Sequence, residues 1–338
     1  MLQVIKDNRS AAGRAALALL LIGLAIGLAT LRSAFAQEPG QKVFSSPAEA
    51  GDALAAAAQK HDKPAMLAIL GHSAQDLISS GDPVEDKSSE DLFATKYHET
   101  HRFVATVGGR VFIYLGAENW PAPIPLQKSG TQWYFDTPYG SQVVLYRQIG
   151  SNELNVMEVC DQIVAAEQEY YAALHDGDPV HQYAQRFRST AGKQDGLYWK
   201  VSSGQQPESP LGPMVAEATR EGYSSHNHAA GQPRPFHGYL YRLLTRQGAD
   251  APGGAKDYIV DGKMTGGFAL VADPMIYRTS GVMTFMVNQD GQIFQKDLGP
   301  QTEKTATEMT KYNPDATWEP LEEAQATNSA ASSVKTEK

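Results

Sequence analysis

The densest group of potential ligands and proton-transfer groups is His226, His228 and His237. Ser225-His226-Asn227-His228 puts two imidazoles on alternate residues, which share a face wherever the backbone is extended, and His237 follows shortly after. Three neutral imidazoles supply the nitrogen set of a zinc site, and one near its ordinary pKa serves as a general acid or base. No cysteine joins them, so a carboxylate partner has to come from elsewhere, for example Glu217 or Glu221. The competing reading is a polar loop whose histidines are ordinary surface residues.

Other constellations fall short of complete motifs. His98-Glu99-Thr100-His101 spaces its imidazoles at i and i+3, whereas a zincin helix needs i and i+4. Gly71-His72-Ser73 lacks the Gly-x-Ser-x-Gly frame of a nucleophile elbow. Gly253-Gly254 and Gly266-Gly267 match neither phosphate-loop nor dinucleotide spacing and read as turns. No cofactor is expected. Asn288-Gln289-Asp290-Gly291 offers two oxygen ligands, too few for calcium, and reads instead as a type I′ hairpin turn at Asp-Gly. Cys160 lies on an apolar helical stripe, the place of a buried, inert thiol. The aromatics Trp120, Trp133, Trp199 and Tyr239 complete the set of binding candidates with His226, His228 and His237, since aromatic side chains anchor interfaces; the alternative is core or edge packing.

The elements that must hold these groups are readable in outline. Ser46-Pro47-Ala48-Glu49 opens a helix that continues to about Lys60, and His61-Asp62-Lys63-Pro64 restarts a second that ends at Gly71. A third helical segment spans residues 88–97. Strands follow at 102–107, 110–115 and 132–136, with Gly108-Gly109 as a turn and Trp120-Pro-Ala-Pro-Ile-Pro125 crossing an edge. Leu154, Met157, Cys160, Val164, Tyr171 and Leu174 then predict a helix of about 24 residues capped by Ser151 or Asn152. Residues 178–235, rich in Gly, Pro, Ser and His, form a long insertion with one short helix at 211–222. Residues 236–300 alternate as an antiparallel β-meander, followed by a short helix near 302–309 and a packed Trp318.

These elements define an α+β chain of two domains. The first, 37–150, pairs helices with a curved antiparallel sheet and resembles a cystatin-like or nuclear-transport-factor-like fold. The second, 151–320, lays a long helix on the meander and carries the insertion 178–235. Residues 321–338 read as a disordered tail.

The N-terminus has a different character. Lys6, Arg9 and Arg14 precede an apolar run from Ala15 to Thr30, and Ala34-Phe35-Ala36 is followed by Gln37. That is the order of a secretory signal peptide over 1–36, with an uncleaved anchor as the alternative. No cysteine follows the run for lipid attachment, and no paired arginine marks twin-arginine export. The formal net charge is −9, and removal of the first 36 residues leaves 25 basic against 37 acidic side chains. An acidic chain without a basic face is not one for nucleic acid. One cysteine in the whole chain means that no internal disulfide holds the monomer. The expectation is a Sec-exported, periplasmic or extracellular protein with no membrane span after cleavage.

Several runs resemble one bacterial family. They are Phe236-His-Gly-Tyr-Leu-Tyr-Arg-Leu-Leu244, Gly266-Gly-Phe-Ala-Leu-Val271, Ser280-Gly-Val-Met-Thr-Phe-Met-Val-Asn-Gln-Asp-Gly291 and Lys296-Asp-Leu-Gly-Pro300. Upstream, Asp76-Leu-Ile-Ser-Ser-Gly-Asp-Pro83, Asn119-Trp-Pro121, Gly196-Leu-Tyr-Trp199 and Glu208-Ser-Pro-Leu-Gly-Pro213 belong to the same pattern. Together they resemble the exported proteins of the domain of unknown function 2950, over roughly residues 43–320. The resemblance implies an envelope location and carries over no catalytic residue. The second domain also looks like the globular part of type IV pilins and pseudopilins, although the pilin start sequence is missing.

Three functions remain on this reading. The first is a non-catalytic binding or assembly protein whose partner is an envelope protein or a cell-wall component. The second is a metal-dependent or acid–base hydrolase that uses His226, His228 and His237. The third is a small-molecule carrier with a pocket in the first domain.

Overall fold

The structure is a computed structural model that describes residues 37–200, 208–223 and 234–321. The signal-like start, His226, His228 and the tail beyond Leu321 lie outside the described residues. Helices and antiparallel sheets alternate in blocks, so the chain is α+β. It divides into two compact units, residues 37–79 with 86–146 and residues 80–85 with those from 147 onward.

The first unit starts with α1 (Pro47–Gln59), where Ser46 Oγ accepts the Glu49 N–H and the Glu49 carboxylate accepts from Ser45 in return. That reciprocal cap satisfies donors the helix leaves open. Asp62 caps α2 (Lys63–Leu70) through the Ala65 N–H, and α3 (Gln75–Ile78) is a single turn. Most of α4 (Pro83–Glu99) follows. The sheet pairs β1 (His101–Ala105), β2 (Val111–Leu115), β4 (Leu126–Ser129) and β5 (Gln132–Phe135) in that order, with β3 (Trp120–Pro121) also against β2. Sequence periodicity misses β4, because only one of its four side chains is buried and no alternation shows. Ala50, Leu54, Ala57 and Ala58 of α1 meet Ile113, Leu115, Leu126 and Phe135 in one core.

The second unit is organised on α5 (Thr137–Ala172), whose residues from 147 onward belong to it. Val156, Val159, Cys160, Ile163 and Tyr170 share a core with Leu270, Ala272, Phe285 and Val287 of the sheet. That sheet is antiparallel, in the order β14 (Glu319–Pro320), β13 (Phe294–Asp297), β12 (Met283–Asn288), β11 (Ala269–Pro274) and β6 (Tyr239–Leu244). Two short ribbons, β7 (Arg246–Gln247) with β8 (Lys256–Asp257) and β9 (Ile259–Val260) with β10 (Lys263–Met264), complete the strands. Side chains alternate across a strand. Tyr241 therefore faces Cys160 while Arg242 faces α7 (Thr302–Glu308), donating to the carbonyls of Ala306 and Met309.

Three expectations change. The long helix begins at Thr137 rather than at Ser151 or Asn152, because its two glycines do not break it. Gly140 is required by close approach, since a Cβ there would lie 2.3 Å from Pro123 O, and Gly150 faces open space. A helical glycine costs only about 1 kcal/mol relative to alanine, and packing on both sides outweighs it. The third helix begins at Pro83, five residues before the expected start, where Asp82 accepts the Val84 and Glu85 N–H groups. At residues 288–291 the turn is not type I′, for Gly291 has φ +80° but Asp290 keeps a negative φ. The Asn288 side chain instead accepts the Asp290 N–H at 3.1 Å and donates to its carboxylate at 2.9 Å, closing an Asx turn.

Candidate functional site

A type I′ geometry does form, at His237-Gly238. Phe236 and Tyr239 exchange backbone hydrogen bonds at 2.8 and 3.2 Å, and the two residues between them have φ +49° and +73°. Histidine is among the few non-glycine residues that enter this region. Position 238 requires glycine, because a Cβ would lie 2.5 Å from Asn152 Nδ2, and that amide is already committed to the Ser280 carbonyl.

Around this turn the second unit assembles four further side chains from two distant segments. Asp82, fully buried, accepts the Gly238 N–H at 3.0 Å and the Tyr223 hydroxyl at 2.9 Å through Oδ2. Its other oxygen caps α4, so one carboxylate ties a helix start, a turn and a tyrosine together. The Tyr223 hydroxyl accepts the His237 N–H at 3.1 Å and lies 3.3 Å from Glu85 Oε1. Glu85 Oε1 meets His237 Nδ1 at 2.8 Å, and Glu221, the last residue of α6 (Gly212–Glu221), lies 3.5 Å from Nε2. Phe236 covers the imidazole at a centroid distance of 4.2 Å.

The electrostatics follow from burial and these partners. Desolvation pushes the Asp82 carboxyl above its usual range, against four hydrogen bonds that favour the ionised form. Burial and the carboxylates beside it raise the Tyr223 phenol far above its ordinary value, so it stays protonated. Burial disfavours the charged form of His237. The hydrogen bond and charge of Glu85, with the charges of Glu221 and Asp82, outweigh that and hold its pKa above the usual value. The ring thus lies between two carboxylates that favour its charged form.

This geometry bears directly on the metal and acid–base readings. Glu85 and Glu221 address opposite nitrogens of one ring rather than converging on the same one. Among the described residues no three His, Cys, Asp or Glu side chains group as a metal site. Of the two carboxylates named from sequence, Glu221 reaches His237, while Glu217 pairs with Arg220. Sequence reading missed Asp82, Glu85 and Tyr223. The signal for Asp82 was present, as an N-cap residue directly before a helix-opening proline.

The remaining candidates separate. Tyr239 is a correction: its ring is wholly buried and its hydroxyl donates to the Met283 carbonyl at 2.9 Å, so it packs the core and lines no exposed groove. Trp133 pairs its backbone with Phe44 and packs against the first core, with Lys128 over its ring. Trp120 is largely exposed on β3. Trp199 packs against the second core, edge-on to His175. His101 stacks on Tyr97 at 3.9 Å and bonds its carbonyl, while His98 is exposed. Cys160 is buried, and desolvation drives its thiol pKa up, away from reactivity.

Two cavities accompany these groups. One of about 320 Å3 in the first unit is lined by Gln41, Leu67 and Gly71. Another of about 640 Å3 in the second unit lies at the C-terminal end of α5.

No curated protein and no solved structure matches the chain. Residues 41–321 match the family described as "Protein of unknown function (DUF2950)", and with most of its length covered the chain belongs to that family.

Proposed function

We propose that this chain is exported to a bacterial envelope and works there as a binding or assembly protein without chemistry of its own. The observation that carries this reading is a row of exposed apolar side chains on the first turns of α5. Tyr139, Val143 and Tyr146 are 46%, 43% and 69% exposed at i, i+4 and i+7, a spacing that places them on one helix face. Arg110 lies 4.1 Å over the Tyr139 ring. Tyrosine and arginine are the side chains that most often anchor protein interfaces, so the partner is an envelope protein rather than a small molecule. His237 fits this reading, since its Nδ1 is bonded to Glu85 and Glu221 lies beside Nε2.

The finer architecture belongs to the same proposal. The first unit reads as cystatin-like or nuclear-transport-factor-like, and the second as pilin-like, a long helix against an antiparallel meander. Element order supports both.

Two measurements test the function. Cell fractionation with intact-mass analysis should find the protein in the envelope fraction, beginning at Gln37; a cytoplasmic protein with an intact N-terminus refutes export. Envelope extracts passed over the wild-type protein should yield a partner that a Tyr139→Ser, Tyr146→Ser double variant fails to retain. Stoichiometric zinc that is lost on His237→Ala would replace this reading with the hydrolase that uses His226, His228 and His237.

A further inference from the structure

The depression of about 640 Å3 at the end of α5 is open to solvent and lies wholly within the second unit, and its volume falls inside the range of small-molecule sites, roughly 300–1,000 Å3. Its wall holds acceptors (Asp176, Asp178, Asp195) and donors (Gln182, Lys193, Lys263) together, beside Tyr170 and His175. Each acceptor already receives hydrogen bonds from the chain. Asp176 receives the Gln194 N–H at 2.9 and 3.1 Å. Asp195 receives the Thr190 N–H at 2.7 Å and its hydroxyl at 2.8 Å. Asp178 receives Lys263 Nζ at 2.6 Å, the Val180 N–H at 3.1 Å and the Gln182 amide at 3.0 Å.

Capacity remains after these bonds. A carboxylate has about four acceptor positions and an ammonium three donors. Lys263 commits one N–H, to Asp178, and the Lys193 ammonium makes no hydrogen bond or ion pair among the described residues. The Lys263 bond holds Asp178 below the usual carboxylate range, and at Asp195 burial acts upward but the Thr190 hydrogen bonds and the Arg186 charge outweigh it, so both are anionic at neutral pH.

The wall discriminates between ligand classes. A small anion would meet three carboxylates. A cation would meet two ammonium groups, and these carboxylates do not converge as a metal set. A hydroxyl both donates and accepts, so a ligand covered in hydroxyls can pair with either kind of wall group without bringing in charge.

We propose that this cavity binds a neutral saccharide, with Lys193, Lys263 and Gln182 donating to its oxygens and Asp176, Asp178 and Asp195 accepting from its hydroxyls. The proposal does not depend on the helix row that carries the assembly reading. Calorimetric titration of the full chain with maltotriose and with the N-acetylglucosamine trimer tests it, with inorganic phosphate and calcium chloride as charged probes. The expected result is saturable binding of at least one trisaccharide, weakened roughly tenfold by Lys193→Met and again by Gln182→Leu, the loss of a hydrogen bond from a charged or amide donor. Lys193 is exposed and supports nothing else through its side chain, so its variant should melt with the wild type. Absence of saturable binding by either trisaccharide overturns the proposal. So does binding indifferent to both substitutions, or phosphate or calcium binding with the same dependence on Lys193.

Discussion

Replacing Glu167 with glutamine should flatten the pH dependence of this protein's stability. Glu167 lies on α5 with no exposure to solvent; its Oε2 accepts the Ala184 N–H at 2.8 Å, and its Oε1 has no hydrogen-bond partner. Burial pushes its pKa up to about 8, with the single backbone bond pulling the other way. In the unfolded chain the same carboxyl titrates near its ordinary value, about 4.3. Folding therefore takes up a proton between these limits, and a raised carboxyl pKa removes stability as pH rises. The loss approaches about 1.4 kcal/mol per pH unit between pH ~5 and ~8, or roughly 3–4 kcal/mol over that span. Glutamine keeps the acceptor for Ala184 and has no proton to take up. At pH 5 the variant should lie within about 1 kcal/mol of wild type, because both then present a neutral group at the unpartnered position. At pH 8 it should be more stable by roughly 3 kcal/mol. Urea denaturation at pH 5, 6, 7 and 8, with matched slopes, measures the difference, and contributions from all other groups cancel. Two stability curves that stay parallel across this range would show that Glu167 is not a buried neutral acid.

Three further outcomes follow from the same chemistry. Asp273→Asn should stabilise the protein by about 3 kcal/mol above pH 6 and by little near pH 4, because burial, with Glu303 adding to it and Arg242 opposing, lifts this carboxyl to about 6; a pH-independent gain in denaturation midpoint would refute it. His237→Asn keeps a residue that tolerates positive φ but removes the titratable imidazole. The stabilisation His237 contributes is complete below about pH 6.5 and is lost as pH rises through its raised pKa, so the gap in melting temperature between wild type and variant should narrow as pH rises through that pKa. Asp82→Ala strands the Gly238 N–H and the Tyr223 hydroxyl and uncaps α4, and should destabilise by about 3 kcal/mol in chemical denaturation; a loss below about 1 kcal/mol would mean that water replaces the carboxylate.

Local signals were legible where local chemistry decides. Ser46-Pro47 and Asp62-Lys63-Pro64 mark helix starts because their side chains satisfy N–H groups three residues away. The apolar step from Leu154 to Leu174 was legible only in its middle: Cys160 and Val164 are buried, but Leu154, Tyr171 and Leu174 are exposed, because the buried face runs through Val156, Val159, Ile163 and Tyr170. The extra turns from Thr137 were not legible, since Gly140 reads as a breaker until Pro123 is seen against it. The aromatics divided in the same way: composition cannot distinguish Tyr239, wholly buried, from Tyr146, largely exposed.

The sequence by itself determined the α+β class, the starts of the first two helices, the meander and the family, because each rests on spacing within about ten residues or on long ordered motifs. Only the tertiary structure decided the site. His237 was visible as a titratable group, but its partners Glu85 and Asp82 lie about 150 residues earlier, and a positive φ at a histidine is held only when they arrive. The Asp-Gly pair at 290–291, the stronger local turn signal, adopted a different turn because the Asn288 side chain supplied a nearer hydrogen bond. Short-range chemistry can be read from residue order. The charge state and the partners of a buried side chain depend on which distant groups share its low-dielectric surroundings, and that is settled only when the chain folds.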